Sequence, residues 1–211
     1  MNKLLLTSAC VAGLITCQMA NAVSYSFFKI TNNGNQDVSS QLSVEVTGAG
    51  SQASFQFFNN VGIASSITDI YFDDGTLLGI ALITTSGAGV AFNSPANPSN
   101  LPGGNNASPA FVTTQNFSAD SDPPVSQNGV NAATEWVTIT FNLINGKTIA
   151  DTLAALDDGS LRIGLHVQAI GSKGGSDSYV NNGRNVPDGG VTAAMLGLGM
   201  LGLSFMSRRK A

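Results

Sequence analysis

Cysteine is nearly absent from the chain and is confined to one end of it. Only two of the 211 residues are cysteine, Cys10 and Cys17, and both lie near the N-terminus. The rest of the sequence therefore has no side chain that could form a disulfide bond or a thiolate metal site. The stretch between the two apolar ends of the chain is long enough for one domain with a substantial core. We expect packing alone to stabilise that domain.

Basic residues are also scarce away from the chain ends. Residues 23–186 contain five lysines and arginines against twelve aspartates and glutamates. No basic stripe with interleaved aromatic residues is available to neutralise a series of phosphates. We therefore expect no nucleic-acid partner.

Catalytic motifs are missing as well. The single histidine, His166, is placed by alternation on the polar side of a predicted strand, and no G-x-S-x-G, H-E-x-x-H or glycine-rich phosphate loop occurs. The adjacent carboxylates at 73–74 and 157–158 serve a glycosidase only if the fold sets them across a cleft. We assign no catalytic residue and no cofactor, and we predict that the protein is not an enzyme; a secreted hydrolase is the third of three readings.

The first 22 residues have the three parts of a secretory signal peptide. Lys3 supplies the basic start, residues 4–16 form an apolar run, and Ala20-Asn21-Ala22 gives the small-residue A-x-A exit. We predict export and cleavage by signal peptidase after Ala22.

Between the two ends, apolar residues alternate with polar ones. In "QLSVEVT", "WVTITFNL" and "LRIGLHVQ" every second residue is apolar, a pattern typical of half-buried strands. Further strands are predicted at 25–31, 54–58, 67–72, 77–84 and 110–114. Seven or eight short strands separated by turn residues predict an all-β fold for 23–185, an antiparallel β-sandwich of jelly-roll or immunoglobulin-like type.

One short helix interrupts this pattern at "KTIADTLAALDDG". Ile149, Leu153 and Leu156 recur at helical spacing. Thr148 is a suitable N-cap with Asp151 three residues later, and Gly159 follows as a stop signal.

Residues 93–131 have a different composition, because six of the seven prolines lie there among Asn, Ser and Gly. This predicts a long excursion with at most one strand, laid across one face of the sandwich and held by Phe111 and Phe117. Asp120, Asp122 and Glu135 carry oxygen ligands suited to calcium, but Pro124 occupies a ligand position of the usual loop pattern. Calcium is the minority reading of this segment, and otherwise we predict no metal.

The C-terminus is a second apolar segment. Residues 191–206 carry no charge and would form a helix roughly 24 Å long. With its flanking residues the segment approaches the ~30 Å hydrocarbon core, so we predict a transmembrane helix over 190–207. The basic tail Arg208, Arg209 and Lys210 is expected to hold the C-terminus on the cytoplasmic side.

The residues before this segment complete a recognisable arrangement. They are Val186, Pro187, Asp188, Gly189 and Gly190. Together with the apolar helix and basic tail they resemble the C-terminal sorting signal of PEP-CTERM proteins, most closely the VPDSG-CTERM variant, with Gly189 in place of its Ser. The resemblance implies an exosortase, a membrane enzyme of Gram-negative bacteria that make extracellular polysaccharide, which recognises residues 186–190 and cleaves near them. The protein would then be an inner-membrane precursor with a single C-terminal span, later delivered to the cell surface or matrix.

Three functions are compatible with such a domain. The first is a structural or adhesive role in exopolysaccharide or biofilm. The second is a carbohydrate-binding module in which Trp136, Tyr71 or the proline-rich segment 93–131 forms the platform that stacks on sugar rings. Trp136 is either exposed for stacking or covered by the long loop in a second small core. The third, already mentioned, is a hydrolase.

Overall fold

The computed structural model describes residues 22–183 except 35, 75 and 76, and this part of the chain is mostly antiparallel β-sheet with few helices. The strands are β1 (Val23–Lys29), β2 (Leu42–Ala49), β3 (Gln52–Asn59), β4 (Ser66–Asp73), β5 (Leu77–Thr85), β6 (Phe92–Asn93), β7 (Ser118–Ser121), β8 (Trp136–Leu143), β9 (Arg162–Ile170) and β10 (Gly175–Asn181). The helices are α1 (Val125–Asn128) and α2 (Ile149–Asp158), with 3₁₀ turns at Ser39–Gln41, Gly104–Asn106 and Gly171–Lys173.

All ten strands belong to one sheet, in the order β5-β8-β3-β2-β1-β10-β9-β4-β7-β6. The first part of β1 pairs with β2, and its last residues pair with β10, so β1 joins two halves of the sheet. We call β5, β8, β3 and β2 the β2 half, and β10, β9, β4, β7 and β6 the β9 half. Strands β5 and β6, at the two ends of the order, approach each other. The sheet therefore nearly closes, like a barrel.

The core lies between the two halves and is formed by the alternation that the sequence shows. Val44 of β2, Ile139 of β8 and Leu165 of β9 are completely buried. Phe72 of the β9 half meets Phe141 of the β2 half edge to face, with ring centroids 4.7 Å apart. Such aromatic contacts add to the stabilisation from buried apolar area. The antiparallel β-rich fold predicted from the sequence is confirmed at this level.

Seven of the eight predicted strands are present, and one prediction is wrong. Residues 110–114 are not a strand, because their backbone groups bond to the end of β4: the amide of Thr114 donates to the carbonyl of Phe72, and the amide of Val112 donates to the Asp73 carboxylate. Strands β6, β7 and β10 are absent from the prediction. In β10 the apolar residues Tyr179 and Val180 are adjacent and face opposite sides, so no alternation marks the strand.

The predicted helix is confirmed as α2. The Asp151 carboxylate accepts hydrogen bonds from the backbone and side chain of Thr148, both at 2.8 Å, and these bonds lower the pKa of Asp151. Gly159 ends the helix with φ of 79°, a left-handed conformation in which glycine is the preferred residue. Leu156 is buried against the main core.

Among the described residues, none of the helices combines the length and the hydropathy that a membrane span requires. The predicted transmembrane helix at 190–207 lies outside the described residues, as does nearly all of the predicted signal peptide.

Candidate functional site

The connection between β6 and β7 lies across the outer face of the β9 half. We call residues 94–117 the covering segment. A second, smaller core lies beneath it, made of Tyr71, Ala96, Leu101, Ala107, Phe111 and Val180. Gly164 of β9 makes this close approach possible, because a Cβ atom there would lie 2.7 Å from a methyl group of Leu101. The expectation that a long segment is laid over one face and held by Phe111 is confirmed, whereas Phe117 packs against the main core.

Arg162 holds the later part of the covering segment in place. Its guanidinium group pairs with the Asp73 carboxylate and donates hydrogen bonds of 2.6 Å to the carbonyl oxygens of Pro109 and Ala110. The same group lies 5.3 Å from the centroid of the Phe111 ring. A planar group with several fixed donors suits this arrangement, because it binds two carbonyls and one carboxylate at once.

The early part of the segment is held by three side chains from β4 and β7. The Ser118 hydroxyl accepts a 3.1 Å hydrogen bond from the amide of Ala96, and the Asp120 carboxylate accepts one of 3.1 Å from the amide of Asn97. The Tyr71 hydroxyl donates a 3.0 Å bond to the carbonyl of Pro98. The backbone groups of three consecutive residues, 96–98, are thus all hydrogen-bonded to side chains of the sheet.

A groove of about 300 Å³ lies between the two fixed parts of the segment. Its lining consists of Pro95, Ala96, Ser99, Asn100, Thr113, Gln115, Asn116 and Ser118. Among the residues that the structure describes, the side chains of Ser99, Asn100, Gln115 and Asn116 have no hydrogen-bond partner. The hydroxyls of Thr113 and Ser118 accept bonds from the backbone of the covering segment instead. The groove therefore presents unpaired amide and hydroxyl groups on a fixed support.

Beneath the segment, His166 and Asp69 form a polar cluster. Nδ1 of His166 lies 3.0 Å from the nearly buried Asp69 carboxylate, which also accepts a 2.7 Å bond from the Thr68 hydroxyl. Asp69 is directly opposite Asp120 in the β4–β7 pairing. Burial and the charge of Asp69 raise the pKa of Asp120, although the hydrogen bond from Asn97 opposes them. Burial and the same carboxylate raise the pKa of Tyr71, so its hydroxyl remains a proton donor.

The histidine of this cluster lies outside both pockets that the structure shows. His166 lies on the polar face of β9 as predicted, but neither the groove nor a second pocket beside Gln36 and Lys173 is lined by it. The Asp69 carboxylate accepts a bond from the Thr68 hydroxyl and pairs with Nδ1 of His166, which holds the histidine in place.

Another buried carboxylate, Asp177, was not singled out from the sequence. It accepts hydrogen bonds from the Thr31 hydroxyl and from the amides of Asn33 and Gly34, at 2.7 to 2.9 Å, and pairs with Lys29 at 2.8 Å. Burial alone would raise its pKa, but the lysine and these donors together lower it. Asp177 therefore fixes the turn that follows β1.

The two predicted sugar-stacking residues lie on different halves of the sheet. Trp136 begins β8 in the β2 half, is half-buried, and lies opposite Phe58. It is not part of the second small core, which contains Tyr71 instead. The prediction for Tyr71 is wrong: its ring is fully buried under the covering segment, and a ring without an exposed face cannot stack on a sugar.

The proposed calcium ligands are not assembled into a site. Asp122 accepts a hydrogen bond from the side chain of Asn93, and Glu135 accepts bonds of 2.8 and 3.0 Å from the amides of Asn131 and Ala132. Within residues 22–183, apart from the three gaps, no group of three or more His, Asp or Glu residues could hold a metal ion. The carboxylates of Asp120 and Glu135 instead bind loop amides, and that of Asp122 binds the side chain of Asn93.

The residues predicted to direct sorting lie outside the described part of the chain. These are Val186, Pro187, Asp188, Gly189 and Gly190 of the motif, Arg208, Arg209 and Lys210 of the tail, and Ala20 of the signal. Ala22 is described and exposed, and β1 begins at the next residue.

Comparisons with known proteins bear on this end of the chain. The family model described as VPDSG-CTERM motif matches residues 185–210. A search of curated proteins finds no match, and a search of solved structures finds none. The match agrees with the resemblance drawn from residues 186–190 and the tail, and it implies an exported, surface-directed protein that is processed by an exosortase. Residues 185–210 are therefore identified as a VPDSG-CTERM motif, which supports a sorting signal at this end of the chain.

Proposed function

We propose that this protein is a non-catalytic component of the bacterial cell surface or extracellular matrix, with a structural or adhesive role in exopolysaccharide. A signal peptide directs its export, a C-terminal helix anchors the precursor in the inner membrane of a Gram-negative cell, and an exosortase releases it. The observation that carries the proposal is the VPDSG-CTERM motif at residues 185–210.

The positions of the chain ends support this route. Strands β1 and β10 are antiparallel neighbours, with Phe27 opposite Asn181, and the amide of Asn182 donates a 2.9 Å bond to the carbonyl of Ser26. The described chain thus enters and leaves the sheet at the same end. Four residues, 182–185, lie between Asn181 and Val186, so the Cα atoms of these two residues are at most roughly 18 Å apart. A motif at the membrane surface would keep the β domain beside it.

The arrangement of the core supports a two-layered description of the domain. Phe55 of the β2 half lies 5.1 Å from Phe72 of the β9 half, as expected for two facing layers. We propose a sandwich-like packing of the two halves, and the choice between jelly-roll and immunoglobulin-like types stays a prediction.

The polar cluster supports the absence of catalysis. The only histidine is bonded to Asp69 beneath the covering segment and does not line the groove. Among the described residues, the linings of the two pockets contain neither this histidine nor any Asp or Glu side chain.

The proposal is tested by changing the motif in the bacterium that makes the protein. We expect the double variant Pro187→Ala/Asp188→Ala to accumulate uncut in the membrane fraction. The control Asn60→Ala changes an exposed side chain of the domain and should be released like the wild type. Undisturbed release of the double variant would refute exosortase processing.

A further inference from the structure

We propose that the groove in the covering segment binds a neutral saccharide unit of an extracellular polysaccharide. This inference rests on the proposed function, because it requires the domain to be exposed to polysaccharide outside the cell. It assigns the binding to the groove lined by Ser99, Asn100, Gln115 and Asn116, which lies in the proline-rich segment considered from the sequence, and not to Trp136 or Tyr71.

The lining has the hydrogen-bonding capacity that a sugar requires. Asn100, Gln115 and Asn116 each present an amide group that can donate and accept at once, and among the described residues none of the three has a side-chain partner. Adjacent hydroxyls of a sugar ring also donate and accept. Pro95 and Ala96 add a small apolar surface, against which the C–H face of a ring can pack. A volume of about 300 Å³ is at the lower end of the range for ligand pockets, which suits a short ligand segment.

The electrostatics select an uncharged ligand. No charged side chain is present among the residues that line the groove. Asp120 lies behind its wall, where the carboxylate accepts a bond from the amide of Asn97. The domain as a whole carries more acidic than basic residues. A polyuronate would find no cation in the groove and would approach a domain of net negative charge, so anionic polysaccharides are disfavoured.

The groove is held open before any ligand arrives. One wall is fixed by the bonds of residues 96–98 to Ser118, Asp120 and Tyr71, and the other follows the stretch clamped by Arg162. Leu101 and Phe111 anchor both stretches in the second core. A binding surface fixed in this way loses little conformational freedom when it binds, and that lowers the cost of association.

Affinity electrophoresis of the full-length chain in non-ionic detergent tests the inference. The native gels contain either dextran or galactomannan as neutral polymers, or alginate as the polyuronate. We expect a neutral polymer to slow the wild type at least twofold, and alginate to leave its mobility unchanged. The variant Asn100→Ala/Gln115→Ala/Asn116→Gly should migrate as it does without polymer; glycine is used at 116 because φ there is 66°.

Two further variants keep the result interpretable. Gln115→Ala alone removes an exposed side chain that has no hydrogen-bond partner among the described residues, so the fold should be unaffected while apparent affinity falls at least threefold. Asn105→Ala changes an exposed amide of the same segment outside the groove and should bind like the wild type. Binding is overturned if neither neutral polymer slows the wild type, if alginate slows it equally, or if the groove variants are slowed as much as the wild type.

Failure of this inference is distinguishable from failure of the proposed function. If the wild type is cut and found at the surface but binds neither neutral polymer, the groove assignment fails and the sorting account stands. If the chain is neither cut nor exported while the purified protein binds dextran, the sorting account fails instead.

Discussion

The β2 half and the β9 half bury their inner faces in the same way and differ on their outer faces. On β2 the outward residues Ser43 and Thr47 are half-buried and Glu45 is exposed, as in a sheet with one face towards water. On the β9 half, Tyr71 and Asp69 point outward and are nevertheless buried, because the covering segment lies over them. A polar or aromatic residue on an outer face of the sheet is therefore exposed for binding only where no other segment of the chain covers that face.

The largest expected effect is at the buried carboxylate of the covered half. Asp177→Ala leaves Lys29 unpaired and removes the acceptor of two amides, so we expect a loss of roughly 3 to 5 kcal/mol in the free energy of unfolding. Urea denaturation followed by fluorescence measures it. The control Lys147→Ala breaks an exposed pair with Asp151 and should change little. Equal effects of the two variants would remove the contrast between buried and exposed charges.

The same carboxylate makes stability depend on pH. The folded-state pKa of Asp177 is below its usual 3.8, so its contribution is present above the unfolded value and is lost as the pH falls through the folded one. The gap in unfolding free energy between wild type and Asp177→Ala should therefore be full at pH 7 and shrink below about pH 4. Asp120 acts with the opposite sign, because burial raises its pKa. A gap that stays constant down to pH 2 would contradict the pairing.

The second core is probed by Leu101→Ala. Leu101 is buried between the covering segment and Gly164, and its truncation leaves a cavity, so we expect a loss of roughly 2 to 3 kcal/mol. Hydrogen exchange should show faster opening of the covering segment. Leu82→Ala is the matched control on the β2 half, where the side chain is 56% exposed, and it should cost less than about 0.5 kcal/mol. Equal losses of unfolding free energy in the two variants would mean that the covering segment does not form a stabilising second core.

A smaller effect is expected from Arg162→Lys. The lysine keeps the charge near Asp73 but lacks the planar donors that reach the carbonyls of Pro109 and Ala110. We expect a loss of roughly 1 to 2 kcal/mol and earlier proteolysis within the covering segment. Lys173→Ala changes an exposed basic residue and should leave the digestion pattern unaltered. An unchanged pattern in Arg162→Lys would show that the guanidinium does not clamp the segment.

The smallest effect is at the start of α2. Thr148→Ala removes the hydroxyl that donates to Asp151, and capping changes of this type cost about 0.5 to 1 kcal/mol. Thermal unfolding measures the difference, and Thr148→Ser should restore the wild-type value because it keeps the hydroxyl. Failure of serine to restore stability would indicate that the methyl group matters instead.

The comparison of the halves also explains what could be predicted from the sequence. Strands β2 and β8 alternate between apolar and polar residues because one face of each is buried, and β9 does so in much of its length. This pattern, like the caps of α2, can be recognised from neighbouring residues alone. Strand β10 is buried on both faces, and Asp177 within it is stabilised by residues almost 150 positions away. The groove depends on bonds between residues 96–98 and two other strands. Such contacts leave no periodic signal, although proline and asparagine content did locate the segment.

The intact mass of the protein recovered from the surface or medium of the producing bacterium tests the central claim most directly. We expect the mass of a chain that begins at Val23 and ends close to residues 186–190. The apolar segment and the basic tail that follow the cut should be absent. A surface protein that retains all 211 residues would contradict it.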